Sequence, residues 1–444
     1  MSQRLSRVVI VSSVACIVAI TLVPEGSHRA ASYPFWCLRC GDFGSVDALL
    51  NTLLFVPLGL GLGLAGLRLE RSVLASFLFT VTIEALQLTA VSGRDASLSD
   101  LLTNTAGGTL GALLATHWRS LLLPRPRTAR ALAIVGLGLW IGTRLLTAWF
   151  LAPSSPATLW YGQLAPQDVY PADFRGEVSA ARIGALTVRS GPMPELRNAL
   201  RGDATVVTAR VSGAPPSPAL ASVVSVLDAH RAEIVVLGQE GTDARFRRRL
   251  RAADALFRVP SVRLASAFEG PADSGIVLTG TATRVELRLT AARGAQERTV
   301  TVALGAGLGW SLMMPWDVGL TESAGLVSAA FVGLALFAIG YVGGRGTADD
   351  GGRLVLALIG VGVAAGLLVP PAIFQVAAAD GAESAAALLG AIVGLWTGRR
   401  ATYQSHGAST TTAPTSISRH RSSIVSSERS PARSSCARCS PAAM

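Results

Sequence analysis

The sequence predicts an all-α membrane bundle of about eight transmembrane helices with an inserted all-β sandwich or jelly-roll domain. Three observations carry that expectation. Half of the 444 residues are hydrophobic and only 15% are charged, where a soluble domain carries about a quarter; mean hydropathy is +0.46. Apolar runs recur at 8–24, 49–67, 72–91, 101–118, 131–151, 320–343, 354–377 and 384–398, most of them reaching the roughly 17–25 residues that a hydrocarbon core requires. Between the fifth and sixth runs the period shortens to alternating segments of strand type.

The first run follows Arg4 and Arg7 as a signal peptide would, but no clear small-x-small cleavage site comes after it, so it reads as a retained helix. The eighth is the shortest. Arginine then sets the expected orientation, the chain containing no lysine. Arg4 and Arg7 precede span one, Arg68 and Arg71 follow span two, and Arg119, Arg125, Arg127 and Arg130 follow span four. Arg345 and Arg353 follow span six, and Arg399 and Arg400 follow span eight. If all eight runs cross, these loops share one side, which the positive-inside rule makes the cytoplasm. The expected location is therefore a bacterial cytoplasmic (inner) membrane, multi-pass, with both termini inside and the β domain outside. The tail from Arg399 holds seven arginines against the single acid Glu428, a net of +6 within the total of +11. Rich in Ser, Arg and Pro, residues 399–444 read as a disordered tail. Nothing in this charge pattern asks for a nucleic-acid partner; membrane lipid is the expected partner.

Residues 153–318 form the expected external domain. Trp149, Phe150, Trp310 and Trp316 bracket it, as interfacial aromatics would. Segment 152–174 is rich in Pro and Ala and reads as a linker. Candidate strands are Ala204–Val211, Ser222–Leu227, Glu233–Leu237, Ala244–Leu250, Ser261–Ala267, Gly275–Thr279, Arg284–Thr290 and Arg298–Leu304, with a hairpin connection at 238–243. The ladder resembles concanavalin-like (laminin-G type) sandwiches in pattern. Such a domain would be either a glycan binder or a structural lid. The run Arg247, Arg248, Arg249 and Arg251 suits a solvated strand face, or a contact with anionic polymer or headgroups.

The informative stretch is Asp47 to Gly111. Asp47 and Asn51 sit four apart at the start of span two and share a helix face. Glu84 and Gln87 lie in the last third of span three; Arg94, Asp95 and Asp100 occupy the next loop; Asp100 and Asn104 are again four apart. The expected orientation gathers these eight polar groups at the outer face. Asp47 and Asp100 have a bland reading as helix N-terminal residues. Glu84 resists it: about seven residues from the span's end, or ~10 Å deep at helical rise, it must be protonated, paired or facing water. Arg94 is the candidate partner. Gly59 and Gly63, and Gly107 and Gly111, have small-xxx-small spacing for a close crossing, and Pro57 is expected to kink span two.

Of the five cysteines, Cys37 and Cys40 form a CxxC expected to be a small disulfide outside the cytoplasm, Cys436 and Cys439 repeat it in the tail, and Cys16 reads as packing. The scattered histidines assemble no metal site, and no cofactor is expected. The order D…NxxxFxPLG, ExxQ, RxxxxxD, NxxGG over 36–115 resembles the VanZ family, named for a protein conferring teicoplanin resistance. It is carried by Asp47, Asn51, Phe55, Pro57, Gly59, Glu84, Gln87, Arg94, Asp95, Asp100, Asn104, Gly107 and Gly108. The resemblance makes 1–130 a VanZ-like membrane domain of four helices. It is followed by a fifth helix at 131–152, the β domain at 153–318, and three more helices at 319–398. It implies a cell-envelope protein linked to glycopeptide susceptibility, without a catalytic mechanism, and a large insertion is a departure from the family's minimal form. The function expected is binding of a cell-wall precursor, glycan or lipid headgroup at the outer face. The alternative is a membrane enzyme on a lipid-linked or peptidoglycan substrate, with Glu84, Asp95 or Asp100 as general acid or base. A proton-coupled transporter ranks last, because the carboxylates cluster at one face and no inverted repeat is visible.

Overall fold

The computed structural model describes residues 3–24, 34–91, 96–165, 170–270, 275–347 and 352–410. Residues 1–402 form one compact unit; 403–444 form a second, helical as far as Thr410. Eight long helices are present among the described residues: α1 (Gln3–Thr21), α2 (Gly44–Leu64), α3 (Leu69–Ala90), α4 (Leu98–Leu122), α5 (Pro126–Phe150), α6 (Ala324–Arg345), α7 (Gly352–Phe374) and α8 (Gly381–Thr410). Seven are long and apolar enough to cross a membrane; α4 is not among them. At 25 residues α4 has the length, but Asp100, Asn104, His117 and Arg119 dilute its apolarity. It packs along α2 and α3.

These helices are apolar outward and polar or small inward. In α3 the fully or nearly buried positions are Ser72, Ser76, Thr80, Ile83, Glu84 and Gln87. Leu74, Leu78 and Leu88 are more than half exposed. A water-soluble helix has the reverse pattern. Glycine then lets backbones meet. A Cβ on Gly59 would fall on the Gly108 carbonyl, one on Gly107 on the Thr52 carbonyl, and one on Gly111 on the Val56 carbonyl, so α2 and α4 cross in backbone contact. A second such crossing joins α6 and α8, where Gly390, Gly394 and Gly398 lie against the carbonyls of Gly333, Phe337 and Tyr341. Two small apolar cores result. One gathers Ile17, Phe55, Leu58 and Ile83 from α1–α3, the other Leu137, Trp140, Leu336, Ile359 and Ala387 from α5–α8.

The inserted domain is two sheets on one core. The strands are β1 (Trp160–Leu164), β2 (Val178–Ile183), β3 (Leu186–Thr187), β4 (Gly191–Pro192), β5 (Thr205–Val211), β6 (Ser217–Asp228) and β7 (Glu233–Gly241), then β8 (Asp243–Arg248), β9 (Ser261–Leu264), β10 (Ile276–Ala282), β11 (Glu286–Arg293), β12 (Gln296–Ala303) and β13 (Gly319–Leu320). One sheet runs β13-β9-β8-β7-β6-β1-β4 and the other β12-β11-β10-β5-β2-β3. Every pairing is antiparallel except β13 on β9. The eight candidate strands all have counterparts. Residues 160–164, expected as linker, instead form β1, because Trp160 is buried and its indole N–H donates to the Pro156 carbonyl at 3.1 Å. The 238–243 connection tightens to a turn at Gly241 and Thr242, between paired Glu240 and Asp243, with Gly241 at φ 62°.

Three further expectations change. The arginine run is neither a solvated face nor a free basic patch. Arg247 pairs with Glu233 and Asp317, Arg248 donates to the Leu200 carbonyl, and Arg249 pairs with Asp254. Burial opposes the charge on Arg247, but Glu233 and then Asp317 outweigh it and hold its pKa above the ordinary arginine value. Burial and the Glu233 carboxylate likewise push the Tyr170 hydroxyl up. Trp310 is not interfacial but buried, donating to Ser328 Oγ at 3.0 Å in α6. Cys16 lies exposed on α1. A 3₁₀ segment, Ala306–Met313, joins the sandwich to the helices, and one core continues from the strands into the ends of α5 and α6.

Replacing Gly59 with valine should cost about 1–3 kcal/mol through overpacking at the α2–α4 crossing. Gly138→Ala, where a Cβ meets nothing within 4 Å, should be close to neutral. Thermal unfolding of the detergent-purified chain checks this, and equal midpoints for the two variants would rule the crossing out as a stability determinant.

Candidate functional site

The polar residues singled out above converge at one end of the α1–α4 group. The organising feature is the N-terminus of α4, whose first backbone N–H groups have no partners within the helix. The Ser97 N–H donates to Glu84 Oε2 at 3.0 Å, the Leu98 N–H to the Phe35 carbonyl at 2.6 Å and the Ser99 N–H to the Cys37 carbonyl at 3.3 Å. The Asp100 N–H donates to Ser97 Oγ at 3.0 Å, making Ser97 the N-cap. A carboxylate and two carbonyls on a helix N-terminus also suit the positive end of the helix dipole.

Glu84, 6% exposed, thus occupies the place a cap or bound anion would take. Asp100 does not cap α4 with its side chain. Its Oδ1 accepts from Asn51 Nδ2 at 2.5 Å, binding α4 to α2, and its charge bears on Glu84. Asn104 Nδ2 donates to Thr80 Oγ1 at 2.8 Å, and Gln87 Nε2 to the Thr21 carbonyl at 3.0 Å, which joins α3 to α4 and to α1. Six of the eight expected residues, Asp47, Asn51, Glu84, Gln87, Asp100 and Asn104, therefore stand on the abutting ends of three helices. Arg94 and Asp95, with the expected Arg94–Glu84 pairing, lie outside the described residues, as do Cys436 and Cys439. Cys37 and Cys40 are disulfide-bonded, 5.7 Å apart at Cα, in the loop whose carbonyls cap α4. Pro57 lies within α2 and exposed.

The β domain meets this end of the bundle directly. Ser45 Oγ donates to the Ala255 carbonyl at 2.6 Å, and Arg258 Cζ lies 3.4 Å from the centroid of the Phe43 ring. Arg258 Nη2 donates to the Pro315 carbonyl at 2.6 Å. Burial lowers the Arg258 pKa, and the carboxylates of Asp317, Asp47 and Asp42 act against that. Arg258 thus brings a cation to the acidic start of α2. No short-range motif announces it, because it stands 211 positions from Asp47 in the chain. The stripe Ser72, Ser76, Thr80, Glu84 did carry a signal, a polar residue at every fourth position of an apolar run.

No group of three or more metal-binding side chains is present among the described residues. Chemically, the end of the bundle offers two interacting carboxylates, amides and Arg258, set among buried helix ends. Residues 4–121 match the family model described as VanZ/LLP1, so this part of the chain is VanZ-like. No curated protein and no solved structure matches the chain.

If the Asn51–Asp100 bond ties α2 to α4, the alanine variants of the two residues should be non-additive. A double-mutant cycle on unfolding free energy should return a coupling of about 0.5–3 kcal/mol. Strict additivity would mean that the contact is energetically idle.

Proposed function

We propose that this is a multi-pass cytoplasmic-membrane protein of VanZ-like type, with the β domain outside the cell. In this reading the α2–α3–α4 end binds a lipid-linked cell-wall precursor or lipid headgroup. The single observation that carries it is the buried Glu84 carboxylate, held by the α4 N-terminus and beside the Asp100–Asn51 pair. Carboxylates kept at a membrane helix end are expensive and mark sites for polar ligands. Glu84 and Asp100 supply acceptors for hydroxyl, amide or ammonium groups, and Arg258 supplies a donor for phosphate or carboxylate. Arginine placement supports the orientation, and the VanZ/LLP1 match over residues 4–121 supports the VanZ-like type; the envelope role and the teicoplanin link are what the family resemblance implies.

A membrane enzyme is the second reading, favoured by two carboxylates gathered at one helix end, Glu84 on the Ser97 N–H and Asp100 three residues along from Ser97, since paired carboxylates are the pattern of general acid–base sites. It requires turnover of a lipid-linked or peptidoglycan substrate by the purified protein, abolished in Glu84→Gln.

Two measurements test the binding reading. Glu84→Gln and Asp100→Asn should each weaken binding of a purified lipid-linked precursor to the full chain at least tenfold and shift the teicoplanin susceptibility of cells expressing it. Wild-type values in both variants would remove the site assignment. For orientation, a cysteine replacing the half-exposed Arg288 of β11 should react with a membrane-impermeant maleimide on intact cells; protection until lysis would invert the topology.

A further inference from the structure

A second polar centre lies in the α5–α8 half and rests on none of the residues above. Its first element follows from proline. Pro370 in α7 has no N–H, so the carbonyl of Gly366, four residues earlier, has no helical donor. Arg144 of α5 fills the gap, its Nε donating to the Gly366 oxygen at 3.1 Å. Its Nη1 pairs with Glu383 in the first turn of α8, and its guanidinium lies 5.1 Å from the Trp140 ring centroid. Glu383 is itself fixed, its backbone N–H donating to Asp380 Oδ1 at 2.7 Å. Side-chain exposures are 4% for Arg144 and 8% for Glu383. A buried pair of this kind adds little net stability, so a reason for keeping both charges lies elsewhere.

The surroundings supply one, since each partner faces a different cavity. Arg144 lines a groove of about 440 Å³ between α5, α6 and the 3₁₀ segment, apolar apart from Arg144, Thr143 and Thr147 and walled by Leu139, Phe150, Phe331 and Ile339. That volume is within the roughly 300–1,000 Å³ typical of small-molecule sites. Glu383 lines a chamber of about 210 Å³ whose other polar groups include Thr301, Thr321, Glu322 and Asp380. Gly307 borders both cavities, and a Cβ there would come within 2.6 Å of Glu383 Oε2. Among the described residues no acceptor meets Arg144 Nη2. An unused guanidinium donor therefore belongs to the apolar groove, and a carboxylate to an acidic chamber next to it.

We propose that Arg144 and Glu383 are the headgroup clamp of an amphiphile-binding site. The tail fills the α5–α6 groove, an anionic phosphate oxygen accepts from Arg144 Nη2, and an ammonium enters the chamber towards Glu383, Asp380 and Glu322. The ligand class is a zwitterionic aminophospholipid. A head bearing only negative charge would satisfy Arg144 and meet three carboxylates beyond it. Charge complementarity thus selects the occupant.

Native mass spectrometry on the full chain, released from vesicles of equal phosphatidylethanolamine and phosphatidylglycerol, tests this. Wild-type protein should retain at least tenfold more phosphatidylethanolamine. Single charge removal leaves a buried ion without its partner, so the clamp is tested with the double variant Arg144→Gln/Glu383→Gln, which keeps an amide donor for Gly366. Ala335→Trp blocks the groove without touching the pair. Both variants should lose the preference while keeping a wild-type unfolding midpoint. Equal retention of the two lipids by wild-type protein, or undiminished preference in both folded variants, would overturn the clamp. Neither result bears on Glu84, whose precursor binding should be unchanged in the two variants.

Discussion

The start of α4 is where the fold meets its strictest hydrogen-bonding demand. A helix end in water leaves its first N–H groups to solvent, but a buried end must find partners for them, because an unmatched buried donor costs about 1–3 kcal/mol. Here the four donors from Ser97 to Asp100 are all matched, by Glu84, Phe35, Cys37 and the Ser97 hydroxyl. Three chain segments must converge for that to happen: the loop before α2, the end of α3 and the start of α4. The Cys37–Cys40 disulfide lies in the first of them. The same requirement draws a carboxylate inside, so a structural need and a chemical opportunity arise from one contact. Once Glu84 is held there, Asp100 cannot be distant from it, and Asn51 balances Asp100 from α2.

Close approach of the backbones makes those short side chains sufficient. Asparagine and aspartate reach each other from α2 to α4 because Gly59, Gly107 and Gly111 have removed the Cβ layer between the helices. Lipid is as apolar as leucine, so leucines gain nothing by facing inward; packing and hydrogen bonds among small and polar residues hold such bundles together. The α3 stripe of Ser72, Ser76 and Thr80 continues this logic below Glu84, with Ser76 against Gly108. The α6–α8 crossing repeats the glycine device in the other half.

This inversion explains what was legible in the sequence. Spans, strand positions and the Asp47–Asn51, Glu84–Gln87 and Asp100–Asn104 spacings depend on periodicity alone, and periodicity is local. The α4 run reads as a span by length, yet Asp100, Asn104, His117 and Arg119 lower its apolarity below that of its neighbours. β1 was hidden because proline at 153 and 156 dominates its flank, while the burial of Trp160 depends on strands that arrive 60 residues later. The roles of the arginines were the least accessible. Arg144, Arg247 and Arg258 each owe their meaning to partners far along the chain: Glu383, Glu233 with Asp317, and Phe43 with Asp47. An arginine flanking an apolar run signals topology, whereas these three signal contacts whose partners spacing cannot reveal.

Arg258 and the 3₁₀ segment give the β domain a role that insertion alone would not. The domain is tied to the α1–α4 group through Ala255 and Arg258, and to the α5–α8 group through a core running from the strands into Ala148, Ala306 and Ala324. Two bundles with separate small cores are thereby bridged by a third body with a much larger one. Bilayer helices hold each other through thin seams, so relative tilting of the two halves is opposed chiefly where the sandwich grips both. Both polar centres lie at that end: Glu84 with Asp100 beneath the Arg258 contact, and Arg144 with Glu383 beneath the 3₁₀ segment.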